Sequence, residues 1–175
     1  MSNFADFGKR LFARVPALSP RQPADAALST EIFQAGLFDG ARGPMVEACR
    51  AGLLLFNDDL DRAHGIAQND SSQTGSFWHA IIHRREGDFS NARYWWRMTG
   101  EHPAFEEIYD VVLHRVPDFG FLDELRAAEQ WDPVLFTAWC QKAQTPDEVA
   151  RLESVQVQEM RTLLNWCASR VAPGK

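Results

Sequence analysis

The chain has 175 residues, a formal net charge of -6, 45% hydrophobic residues and 11% aromatics, with 6 Trp and 12 Phe. That apolar content excludes wholesale disorder and suits one domain with a real core. The acidic balance, with Arg interleaved among Asp and Glu, argues against duplex nucleic acid, whose phosphates call for a basic surface.

Residues 3 to 15 open the chain with an amphipathic pattern. Phe4, Phe7, Leu11 and Val15 share one helical face, and Lys9, Arg10 and Arg14 lie on others. A helix docked on the body fits this better than a lipid-surface helix, because so short an amphipathic segment binds lipid weakly. No apolar core follows Lys9 and Arg10, so a signal peptide is not expected. No apolar run approaches the roughly 20 residues that span a bilayer. Residues 16 to 29, with Pro16, Pro20 and Pro23, read as an extended connector. Ile32, Phe33, Leu37 and Phe38 suggest a brief helix among Gly36, Gly40 and Gly43. These 43 residues form an N-terminal arm and connector.

From Pro44 to residue 100 the pattern predicts two helical hairpins. Met45, Ala48, Cys49, Gly52, Leu53 and Phe56 make a buried stripe, and Asp59 caps the next helix. Phe77, Trp78, Ile81 and Ile82 make the second stripe. Gly87 ends that helix, and Asp88 caps one carrying Phe89, Ala92, Trp95 and Trp96. An offset of 29 aligns Cys49 with Trp78, Leu53 with Ile82, Asp59 with Asp88, Leu60 with Phe89 and Ala63 with Ala92. Self-similarity of this kind is a repeat signature. Residues 101 to 175 add C-terminal helices around Phe105 to Leu113, Phe121 to Leu125 and Val134 to Trp139. A long last helix starts at the capping box Thr145-Pro146-Asp147-Glu148. Its stripe has one weak point, Gln156. Nothing reads as a strand, so the fold expected is all-α.

The string Gly87-Asp88-Phe89-Ser90-Asn91-Ala92 resembles the inter-helix turn and crossing alanine of tetratricopeptide repeats and their Sel1-like relatives. That resemblance implies stacked antiparallel hairpins, which present binding faces. The stretch Trp78 to Asp88, continuing to Tyr94-Trp95-Trp96-Arg97, also resembles an uncharacterised family of bacterial and fungal proteins. That second resemblance implies no activity.

Chemistry concentrates between Trp78 and Arg97. His79, His83 and Glu86 lie at i, i+4 and i+7, within about 60° on one helical face. Two imidazoles and a carboxylate so placed can hold a divalent metal with open positions. Asp88, His64 or His102 could complete such a set. The competing reading, which the sequence favours, makes both histidines hydrogen-bonded packing residues. Arg84, Arg85, Arg93 and Arg97 with Asn91, Tyr94, Trp95 and Trp96 form the second constellation, suited to a small anion or a partner's carboxylates. Their competing role is internal pairing. No nucleophile elbow, phosphate loop or dinucleotide fingerprint occurs, so no catalytic residue is assigned.

Cys49, Cys140 and Cys167 form no C-x-x-C pair and sit in apolar runs. They read as buried reduced thiols of a soluble cytoplasmic protein. The leading functional expectation is a non-catalytic helical-repeat protein, without cofactor, that binds a protein partner or small anionic ligand through His79, His83, Arg84, Arg85, Asn91, Tyr94 and Arg97. The alternative is a metal-dependent enzyme using His79, His83 and Glu86. Six Trp in a chain of this size also raise a homodimer that buries exposed aromatics.

Overall fold

The computed structural model describes residues 3–174, and these are all-helical, with ten helices and no strand. In order they are α1 (Asn3–Leu11), α2 (Ala26–Gln34), α3 (Pro44–Phe56), α4 (Leu60–Ala67), α5 (Gln73–Glu86), α6 (Phe89–Thr99), α7 (Phe105–Arg115), α8 (Gly120–Ala128), α9 (Pro133–Lys142) and α10 (Pro146–Ala168).

Local chemistry sets most boundaries. Asp59 and Asp88 accept from the backbone N–H three residues on, at Arg62 and Asn91, and start α4 and α6. Gly87, at φ 81, closes α5 in the left-handed region that glycine enters without steric cost. Thr145 and Glu148 form the reciprocal capping box of α10. The starts of α3 and α5 (44 and 73) and of α4 and α6 (60 and 89) are each 29 residues apart.

Helix α5 packs along α6, α3 along α4, and α4 against α5. Helix α10 lies across α3 and α7, while α9 covers α6. Ala63 and Ala92 are fully buried. The core runs through Leu53, Phe77, Trp78, Ile82, Phe121, Phe136, Met160 and Leu163. Each buried side chain of this size contributes about 1.5–3 kcal/mol of transfer free energy. Gly52 gives Trp78 its room: a Cβ there would lie 2.9 Å from the Trp78 ring and 2.8 Å from a Leu164 methyl.

Two expectations near the N-terminus need correction. Residues 26 to 29 are not extended connector but the start of α2, because Asp25 accepts from the Leu28 N–H and caps it. Val15 does not join the docked face. Helix α1 ends at Leu11, and Val15 is 58% exposed. The rest of α1 does dock, with Phe7 and Leu11 buried and Phe12 packed edge-on against Phe56. The connector behind it is fastened to α10. Gln156, buried in the stripe it interrupts, donates to the Ala17 carbonyl (3.1 Å), and Glu153 accepts from the Leu18 N–H (2.9 Å). All three cysteines are free and buried. Among the described residues no helix is long and apolar enough to cross a membrane.

Candidate metal centre

The α4–α5 packing brings together three imidazoles. His64 stands half-buried on α4, opposite His79 and His83 on α5, which are buried. One ligand nitrogen from each falls within 4.8 Å of the other two. His64 Nε2 and His79 Nε2 are 2.7 Å apart. The His79 and His83 rings stack at 4.8 Å, with His64 edge-on to both.

Two of the rings have a neighbour behind them. His83 donates through Nδ1 to Glu86 Oε2 (2.8 Å), which leaves Nε2 with its lone pair. Asn91 Nδ2 lies 3.5 Å from Nδ1 and 3.2 Å from Nε2 of His83. Asn91 can thus donate to His83 Nε2, and an ion taken there would displace that amide from the lone pair. Trp95 stacks on His79 at 4.0 Å.

The electrostatics favour a neutral His79. Burial, aided by the neighbouring His64 and His83, pulls the pKa of His79 down to about 4. Its Nδ1 is buried without a hydrogen-bond partner, so the ring is not locked into one tautomer from that side.

The donor set fits a divalent ion. Imidazole nitrogens about 2.0–2.1 Å from a tetrahedral ion sit about 3.3 Å from each other. The spacings here, 2.7 Å for the closest pair and at most 4.8 Å overall, bracket that value. Seating an ion would part His64 and His79, now hydrogen-bonded to each other, and bring His83 closer.

Compared with known proteins, the chain matches no family model, no curated protein and no solved structure.

The remaining sequence candidates separate. Glu86 does not face the gap between the histidines; its carboxylate is used on His83 Nδ1. Asp88 caps α6 and has its pKa lowered by accepting from Asn91 and Ser90, so it has a structural role. His102 stands apart, bonded to Thr74 and accepting from the Ala104 N–H.

Arg84 and Arg85 are inside the protein, where no small anion reaches them. Arg84 forms a bidentate pair with Glu159 of α10 and lies over Phe136. Burial opposes its charge, and Glu159 more than offsets this, leaving the pKa raised. Arg85 binds Asp58 (2.5 Å) and the carbonyls of Leu55 and Ala17. For Arg85 burial wins over Asp58, and its pKa falls to about 10.

Arg93 donates to Gln141, and Arg97 stacks over Tyr94. Tyr94, Arg97 and Met98 form an exposed strip on α6.

The residue that sequence reasoning ranked too low is His64. It is 15 positions from His79, a spacing with no meaning along one helix. Its signal was the alignment itself, since His64 follows the crossing alanine Ala63 and faces the next hairpin.

Proposed function

We propose that this is a metal-binding helical protein in which His64, His79 and His83 hold a divalent first-row transition ion, zinc first among them. The observation that carries this is the third histidine, delivered from a neighbouring helix to the two already sharing a face of α5. Glu86 is the outer-shell carboxylate that orients His83, the usual companion of a metal-bound imidazole. Three protein nitrogens leave at least one coordination position open, as catalytic sites do and closed structural sites do not. His64, the half-buried member, marks the side from which water or a substrate reaches that position. There a bound ion would act as a Lewis acid and lower the pKa of its water.

Metal analysis tests this directly. Protein purified without chelator, or reconstituted with zinc and desalted, is expected to carry about one equivalent, and His79→Ala and His64→Ala to lose it. Cobalt substitution should give the visible bands of a low-coordinate site. Content far below one equivalent, unchanged by His79→Ala, overturns the reading.

A second reading is supported by the exposed strip of Tyr94, Arg97 and Met98: a non-catalytic module that binds a protein partner through α6. The tetratricopeptide resemblance and the two helix pairs offset by 29 residues favour it. Its anion-binding form is weakened, because Arg84 and Arg85 already face carboxylates inside the protein.

A further inference from the structure

On the far side of α6 a separate cavity of about 530 Å³ opens between α7 and the turn joining α8 to α9. We propose that it binds a small molecule carrying an alkylated ammonium group.

The walls are aromatic. Phe105 and Tyr109, one turn apart on α7, are half-buried and face it, and Trp131 closes it from the α8–α9 turn. The rim is acidic. Glu101, Glu106 and Glu129 all line the cavity and are exposed, and none forms an ion pair or side-chain hydrogen bond among the described residues. Neither Lys nor Arg lines it.

Its one potential cation, His102, is buried, and burial, with Arg170 nearby, keeps its pKa down at about 4. Arg170 itself stacks on Trp166 at 3.9 Å and stands outside the lining. Three unpaired carboxylates, with a fourth, Asp132, that caps α9, thus share one aromatic-walled space lined by no Lys or Arg.

A methylated ammonium group matches this combination. It is too weakly hydrated and too poor in N–H donors to prefer surface carboxylates alone, and it is drawn to aromatic faces by their negative quadrupole. An inorganic cation gains little from such walls. The wall also holds one unpartnered donor: Trp131 is 2% exposed and its indole N–H has no acceptor. This site is independent of the histidine cluster and does not require a metal.

The test uses the full chain, with choline as probe and tryptophan fluorescence and calorimetry as readouts. Choline should bind saturably and at least about tenfold more tightly than its uncharged carbon isostere 3,3-dimethylbutanol. Tyr109→Leu and Glu106→Gln should each weaken it several-fold, with Glu106→Gln leaving the thermal midpoint nearly unchanged. Equal binding of the isostere would reduce the site to an apolar cleft. Absence of saturation by about 10 mM choline would overturn it as well. Undiminished binding in both variants would place the ligand elsewhere and overturn it too. Displacement by spermidine at lower concentration than choline itself would assign the cavity to primary amines instead, against the proposal.

Discussion

Arg84 on α5 and Glu159 on α10 meet as a bidentate ion pair with neither side chain more than 1% exposed. Two charges taken so far from water hold each other, and either alone is a liability. Glu159→Ala is therefore expected to cost about 3–5 kcal/mol in urea unfolding, while the double change Arg84→Met, Glu159→Leu recovers most of that loss. Equal destabilisation by single and double variants would contradict this.

The same logic applies at Asp58, which receives Arg85 (2.5 Å) and Arg14 (2.6 Å) in the turn after α3. Its backbone is left-handed, at φ 61, where asparagine is tolerated almost as well as aspartate. Asp58→Asn preserves the turn but leaves two guanidiniums without their anion. A loss of about 3 kcal/mol is expected. Asp58→Gly, which removes the backbone strain, should not rescue it.

Stability should fall with acid in a defined window. His79 and His102 both have pKa values near 4 in the folded chain against 6.5 for the free group. Between these values the unfolded chain binds more protons, so stability is full above pH 6.5 and declines as pH drops towards 4. Urea midpoints at pH 7.5, 5.5 and 4.5 measure the slope, and His79→Phe should flatten it. Loss of metal through His79 should come only as pH falls to about 4, where that imidazole itself takes a proton in the folded chain.

Two glycines give opposite predictions. Gly52→Ala forces a methyl into Trp78 and Leu164 and should cost about 1–3 kcal/mol. Gly65 lies within α4 with open space around its missing Cβ. Gly65→Ala should raise stability by about 0.5–1 kcal/mol through helix propensity. Thermal unfolding of the two variants checks both signs.

Much of this architecture was legible because its signals are local. Asp59, Asp88, Gly87 and Thr145 announce helix ends through chemistry that reaches three or four residues. The candidate centre was half legible for the same reason. His79 and His83 share a helix and show their spacing, whereas His64 arrives by packing. The placement of Glu86 was misread: at i+3 its carboxylate reaches the ring nitrogen of His83 first. A structural role for Arg84 and Arg85 was the reading the sequence favoured, but their partners, 75 and 27 residues away, could not be read locally. The clue was on α10, where Glu159 sits on the apolar stripe between Val155 and Leu163 and so requires a buried cation.

The clasp of α10 on the connector has a consequence for the order in which the chain acquires its structure. Gln156, Glu153 and Arg161 hold the backbone of residues 12 to 18, and Glu159 neutralises Arg84. During synthesis both hairpins leave the ribosome well before these residues do. Until α10 is made, Arg84 lacks the carboxylate that neutralises it in the folded chain. The last long helix in the chain thus supplies both the anion for Arg84 and the clasp on residues 12 to 18.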